Sequence, residues 1–274
     1  LTARFLPLYK RPTVRTIIII PARMQATRLF GKPLAELAGV PVVVQVARQA
    51  QLCPGVTQVV VATDAQDIFA AARDHGIDAL MTGSQHQSGT DRVAEAAARL
   101  EAQWVINVQG DEPFVDPTAL HDVVRAVHRN TADIVTLSRP IYRAEEAHDP
   151  AVVKVVCRDN GEALYFSRSA IPHLPSCTAA TAAPRSPLVM GHVGVYGCSR
   201  SVLQAWSGAP PHPLERAERL EQLRALAMGL RIAVLPCRMQ GRGIDTPADL
   251  AWARERVAAL GAAAFPTFCP GDSP

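Results

Sequence analysis

The chain has 274 residues, of which 48% are hydrophobic and 19% charged. That is enough apolar material for one large α/β domain with an elaboration, or two modest domains, and it excludes wholesale disorder. A net charge of +3 is too small for a protein that coats nucleic acid, and no run reaches the roughly eighteen apolar residues of a membrane span, so neither nucleic acid nor membrane insertion is expected. Basic residues precede Ile17–Ile20, but that run is too short for a signal-peptide core. The cysteines at 53, 157, 177, 198, 237 and 269 include no C-x-x-C pair. They read as scattered thiols in a reducing compartment, so a cytoplasmic location is expected.

Residues 1–14 form a basic N-terminal extension. Thr16–Pro21 is a β-branched run, the pattern of a strand buried on both faces. A loop over 22–39, rich in Gly, Pro and Arg, precedes a helix over about 41–52. Gln58–Thr63 is a strand, and Asp64-x-x-Asp67 resembles a capping box that opens a helix to about His75. Ile77–Met81 is a short strand, followed by a polar loop and a helix over 91–102, for which Thr90 is a natural N-cap. Trp104–Val108, a helix over 118–129 and Ile134–Leu137 continue the alternation. Strands separated by helices predict right-handed crossovers and a mainly parallel sheet.

The pattern then changes. Val152–Cys157 and Ala163–Ser167 flank Asn160-Gly161, a hairpin signal. Residues 172–191 are irregular, His192–Tyr196 is a strand, and 213–228 has the spacing of an amphipathic helix with Leu214, Leu220, Leu223 and Ala227 inward. Ile232–Pro236 and a helix over 247–260 return to the α/β style. The expected organisation is an α/β core at 15–150 and 231–261, an antiparallel insertion at 151–230, and a loose C-terminal tail at 262–274.

In a parallel α/β sheet, ligands sit beyond the carboxyl ends of the strands. The loop after the first strand carries Arg23, Arg28 and Lys32, donors suited to phosphate oxygens. It is neither a Walker A loop nor a G-x-G-x-x-G turn. Gln109-Gly110-Asp111-Glu112-Pro113 puts a carboxylate at another strand end, a place that suits Mg2+ shared with substrate phosphates and equally an acid that opens a turn or helix. Thr246, Pro247 and Asp249 make a sound helix start. Asp245 lies just outside that cap and is not needed for it.

Eight segments in order, IIIIPARMQATRLFGKPL, VATD, MTGSQHQSGTDR, VINVQGDEP, KVVCRDNGEALYFSRSAIP, HVGVYG, PLERAERLEQLR and GIDTPADL, resemble the 3-deoxy-manno-octulosonate (KDO) cytidylyltransferases. The resemblance spans about Thr16 to Leu260. It implies a nucleotide-diphospho-sugar transferase-like (Rossmann-like) three-layer α/β core with a smaller insertion that binds the sugar acid and contributes to a homodimer. The implied reaction joins CTP and KDO to give CMP-KDO and pyrophosphate, for lipopolysaccharide. By the same resemblance, Arg23 and Lys32 would hold the triphosphate with Ala22 beside them and Arg28 assisting. Ser88, Gly89, Arg92 and Gln109 would line the cytidine pocket. Asp111 and Asp245 would bind Mg2+, making Arg23, Lys32 and Asp111 the catalytic set. Tyr165, Ser167, Arg168, His192, Tyr196 and Gln222 would surround KDO, with Arg168 facing its carboxylate.

The chain departs from the family pattern at Gly83 and Gln85, where Arg and Asp are usual, and at Cys198-Ser199. Two other readings stand beside the first. One is a nucleotidyltransferase for a related sugar acid, amino-KDO or sialic acid, and the other is an inactive binding protein on the same scaffold.

Overall fold

The computed structural model describes residues 15–24, 29–86, 88–173, 188–238 and 243–269. The chain opens with β1 (Thr16–Ala22), then β2 (Glu36–Leu37) and β3 (Val40–Pro41), which pair with each other, and α1 (Val42–Gln51). The alternation follows as β4 (Gln58–Thr63), α2 (Gln66–Asp74), β5 (Asp78–Met81), α3 (Gly89–Ala98), β6 (Trp104–Val108), α4 (Pro117–Arg129) and β7 (Ile134–Pro140). The next elements are α5 (Ala144–His148), β8 (Lys154–Cys157), β9 (Ala163–Ser167), β10 (Met190–Ser199), α6 (Arg200–Gly208), α7 (Pro213–Glu218) and α8 (Gln222–Ala227). The last two are β11 (Ile232–Pro236) and α9 (Pro247–Leu260).

The main sheet runs β11-β7-β10-β6-β1-β4-β5, with β8 and β9 attached through β10. Every pairing along this path is parallel except the two made by β10. The isoleucines of β1 explain the layering. Ile18 and Ile20 join a cluster with Val43 of α1, Val123 of α4 and Val257 of α9. Ile17 and Ile19 join a second cluster with Val93 of α3, Trp206 of α6 and Leu223 of α8. Successive side chains of a strand point to opposite faces, so a β-branched run buried throughout needs helices on both sides. The result is the expected three-layer core.

Several expectations are revised. Residues 190–199, assigned to the insertion, form β10, which lies inside the main sheet between β6 and β7. The β-hairpin within 151–230 breaks the βαβ alternation, which sets that segment apart in the sequence pattern. Pairing partners of β10 are distant in sequence, so no local signal reveals its place. The hairpin itself is present: β8 and β9 pair antiparallel, and Asn160 Oδ1 accepts from the Glu162 N–H at 3.0 Å.

The single helix expected over 213–228 is two helices, α7 and α8, broken at Arg219, whose φ is +56°. Buried Arg224 closes a fork over Glu215, with Nε–Oε2 2.9 Å and Nη2–Oε1 2.7 Å. That bidentate pair folds α8 back on α7. Leu220 and Leu223 remain buried, but Leu214 and Ala227 are exposed. The cap of α3 is Ser88, whose Oγ accepts from the Asp91 N–H at 3.1 Å, not Thr90. Asp64 caps nothing, because α2 starts on Ala65 without a side-chain cap, and Asp64 instead meets Arg92 at 3.1 Å.

The described part of the C-terminal tail is not loose. Phe265 stacks on Phe114 at 5.4 Å, Phe268 meets the ring of His121 at 5.5 Å, and the Cys269 N–H donates to Thr118 Oγ1 at 3.1 Å. Among the described residues, no helix is long and apolar enough to cross a membrane.

Gly197 shows how tightly β10 is seated. A β-carbon there would lie 2.6 Å from Val123, 2.8 Å from Val127 and 2.9 Å from Ile106. These are buried side chains of α4 and β6 with little room to yield. Gly197→Ala should therefore cost about 1–3 kcal/mol of stability through overpacking. Urea unfolding measures it, and an unchanged midpoint would show that α4 can move off the sheet.

Candidate active site

One cavity of about 400 Å3 opens beyond the carboxyl ends of β1 and β6, within the size range of small-molecule sites, about 300–1,000 Å3. Pro21, Ala22 and Arg23 reach it from the end of β1. Gln109, Gly110 and Asp111 reach it from the end of β6. The two strand ends approach closely at Gly110, where a β-carbon would come within 2.7 Å of the Pro21 carbonyl oxygen. Only glycine fits that approach.

The loop from β1 turns at Gly31, which is left-handed (φ +70°), and delivers Lys32 in a 3-10 turn. The Lys32 ammonium donates to Asp111 Oδ2 at 2.5 Å and to Asp245 Oδ1 at 2.9 Å. Asp245 arrives from the other end of the chain. It sits immediately before the α9 capping box, in which Thr246 and Asp249 satisfy each other. The cap thus fixes Asp245 without using its carboxylate as the capping group. Burial works against the Lys32 charge, but the two aspartates outweigh it and raise its pKa. Neighbouring Glu112 is pushed up to about 8 by burial, then by Asp111 and Asp245, so it adds little charge at neutral pH.

The opposite wall comes from the start of α3. Ser88 and Gly89 line the cavity together with Arg92 and His86. Arg92 is only 3% exposed, and its guanidinium is held by Thr82 Oγ1 at 2.5 Å and by Asp64. It is a fixed, buried cation. His86 is anchored differently, through Nε2 to Glu95, which also accepts the Gly83 N–H at 2.9 Å. Gly83 and Gln85, two of the departures noted in the sequence, do not line this cavity. Arg168, at the end of β9, and Glu221, between α7 and α8, complete the lining.

A family model described as cytidylyltransferase matches residues 17–232. A 3-deoxy-manno-octulosonate cytidylyltransferase of Gemmatimonas aurantiaca is 48% identical over 237 residues, 85% of this chain and 91% of that protein. One of Nitrobacter winogradskyi is 43% identical over 252 residues, 89% of this chain and 94% of that protein. This chain belongs to the 3-deoxy-manno-octulosonate cytidylyltransferase family. A solved structure of a CMP:2-keto-3-deoxy-manno-octonic acid synthetase complexed with CTP matches with a TM-score of 0.82 at 38% identity. That match covers 89% of this chain and 99% of the other.

In this cytidylyltransferase the cavity gathers ten of the residues singled out from the sequence. They are Ala22, Arg23, Lys32, Ser88 and Gly89, and then Arg92, Gln109, Asp111, Arg168 and Asp245. Arg28 lies outside the described residues. Five others are not in the lining. Ser167 is buried and donates to Glu218 at 2.6 Å. Tyr165 is partly buried on β9, and Gln222 is 3% exposed on α8. His192 bonds Thr136 Oγ1 at 2.9 Å, and its ring packs between Phe166 and Tyr196.

Glu221 was missed because a continuous helix over 213–228 would make it a surface group. The break at Arg219 turns it inward, where its carboxylate faces the Thr90 N–H at 3.3 Å. His86, within the segment MTGSQHQSGTDR, has no role that the local sequence pattern assigns. The signal for it was the unexplained polar residue two positions before Ser88.

Burial pushes the His192 imidazole down to about 3, whereas a free imidazole titrates near pH 6.5. Between those values the unfolded chain takes up a proton that the folded chain refuses. Stability contributed by neutral His192 is therefore lost as pH falls through that window. His192→Gln should flatten the acid limb of stability, removing a slope of up to about 1.4 kcal/mol per pH unit. Urea unfolding at pH 4, 5, 6 and 7 tests this, and an unaltered slope would mean that another group carries it.

Proposed function

We propose that this protein transfers the cytidylyl group of CTP to the anomeric hydroxyl of KDO and releases pyrophosphate. The observation that carries the reading is the meeting of Asp111 and Asp245 on the Lys32 ammonium, in a cavity that also holds Arg23 and Arg92. The names of the similar proteins, and the CTP named with the solved structure, support the choice of nucleotide and sugar acid.

The reaction is an in-line displacement. The KDO hydroxyl oxygen forms a bond to the α-phosphorus, the bond from that phosphorus to the bridging oxygen of the β-phosphate breaks, and the hydroxyl proton passes to solvent. Arg23 and Lys32, with Arg28, hold the triphosphate as charge-assisted donors. Ser88, Gly89, Arg92 and Gln109 receive the cytidine. Arg168 pairs with the sugar carboxylate, and Tyr165, Ser167, His192, Tyr196 and Gln222 support that side. Catalysis rests on positioning and on charge neutralisation, and no side chain is assigned as a general base.

The donor set suits Mg2+. Two carboxylates converge within hydrogen-bond distance of one cationic nitrogen, and this ion is commonly held by one or two carboxylates plus substrate phosphates. Asp111 and Asp245 would hold it. When bound it would supply charge neutralisation for the triphosphate and would make the attacking hydroxyl more acidic. Lys32, whose ammonium lies between the two carboxylates, donates to the phosphate oxygens.

The product serves lipopolysaccharide assembly, in the cytoplasm. The protein works as a homodimer through the segment 151–230, where Leu164 and Leu188 are exposed and a second copy would cover them.

The test is pyrophosphate release from CTP with and without KDO. Wild type should require both KDO and Mg2+, and EDTA should stop the reaction. Asp111→Ala should abolish release while leaving the circular dichroism spectrum unchanged. Near-normal turnover by this variant would overturn the metal assignment, and wild-type inertness toward KDO would overturn the substrate.

A further inference from the structure

Lys154 is the one lysine among the described residues that is fully buried, at 0% exposure. Among the described residues its ammonium meets no carboxylate at hydrogen-bond range. It donates to three main-chain carbonyls: Asp149 at 2.9 Å, Val152 at 2.6 Å and Arg168 at 2.5 Å. A buried ammonium is costly unless its three donors are met, and here all three are spent on the backbone. The charge thereby joins the segment 149–152 to the end of β9, next to the side chain that reaches the cavity.

Glu218, the last residue of α7, grips the same place from the other side. Its Oε1 accepts from Ser167 Oγ at 2.6 Å, its Oε2 from the Arg168 N–H at 2.9 Å, and its carbonyl oxygen from Arg168 Nε at 2.8 Å. Arg168 Nη1 also donates to the Pro150 carbonyl, at 2.9 Å, within the segment that Lys154 holds. Neither Lys154 nor Glu218 lines the cavity, whereas Arg168 does.

We propose that Lys154 and Glu218 are positioning residues that clamp Arg168 from both sides and so set the affinity for the sugar acid. The inference rests on the reading of Arg168 as the partner of the KDO carboxylate. A guanidinium pairs well with a carboxylate only when its fork is presented in a fixed plane. Main-chain anchors on both flanks supply that preorganisation. The nucleotide side, built on Lys32, Asp111 and α3, shares none of these contacts.

Steady-state kinetics of Lys154→Met, Glu218→Ala and Glu218→Gln test the clamp. Loss of hydrogen bonds to a charged group predicts a rise in KM for KDO of about tenfold or more in Glu218→Ala. KM for CTP should stay within about twofold. Glu218→Gln retains one acceptor and should fall between wild type and Glu218→Ala. A purely structural role would instead lower the melting temperature and the yield of active enzyme without separating the two KM values. If Lys154→Met does not fold, the two Glu218 variants decide.

An unchanged KM for KDO in folded Glu218→Ala, or equal effects on both substrates, would overturn the clamp. Should wild type prove inert toward KDO, the proposed function fails separately. The clamp is then read from amide hydrogen exchange. Faster exchange at 167–169 in Glu218→Ala, with 89–98 unchanged, supports it, and unchanged exchange at 167–169 overturns it.

Discussion

The Lys32 ammonium, set between Asp111 and Asp245, is the contact on which the site depends. Its three members come from the loop after β1, the end of β6 and the start of α9, more than 200 residues apart at the extremes. Two aspartates facing one point repel each other, and in a partly buried cavity that repulsion is weakly screened. A cation between them removes the cost. The same arrangement sets two carboxylates and an ammonium together at the cavity wall. Each charge of the trio meets an opposite one, so none of them is left uncompensated.

The second constraint is the antiparallel strand β10. It closes the gap between β6 and β7 and carries β8 on its flank. Through β8 and β9 the sheet extends to Arg168, so the proposed sugar side grows from the same hydrogen-bonded framework as the proposed nucleotide side. Gly197 permits this, since any side chain there would collide with α4. The buried pair Glu215–Arg224 then folds α8 back on α7, which directs Glu221 toward the cavity and Glu218 toward Ser167 and Arg168. Several buried charges in this region serve geometry. Arg92, Arg224 and Lys154 each spend their donors on fixed partners, as buried polar groups must. Buried thiols add no reactivity. Burial pushes both Cys53 and Cys198 up to about 12, far from the thiolate form at neutral pH.

Much of this was legible in the amino-acid sequence. The buried run 16–21, the alternating strands and helices, the Asn160-Gly161 hairpin and the Thr246–Asp249 cap are local patterns whose physics is contained within a few residues. Ten of the motif residues line one cavity, several of them at or just beyond strand ends, where ligands sit in parallel α/β sheets. Misreadings arose where local signals were ambiguous. Asp64 and Thr90 look like helix caps, but Asp64 was claimed by the buried Arg92 and the capping position by Ser88. Leu214 and Ala227 fit a helical face that a left-handed Arg219 interrupts.

The sequence by itself determined the fold class, the family and ten of the groups that meet at the site, because periodicity, caps and motif order are encoded residue by residue. Only the tertiary structure decided that β10 belongs to the core sheet, that Glu221 rather than Gln222 reaches the cavity wall, and that Lys154 and Glu218 flank Arg168. Each of those outcomes depends on partners far apart in the chain. Strand pairing and charge pairing between such partners are settled by the competition for burial and hydrogen bonds across the whole molecule, which no local window contains.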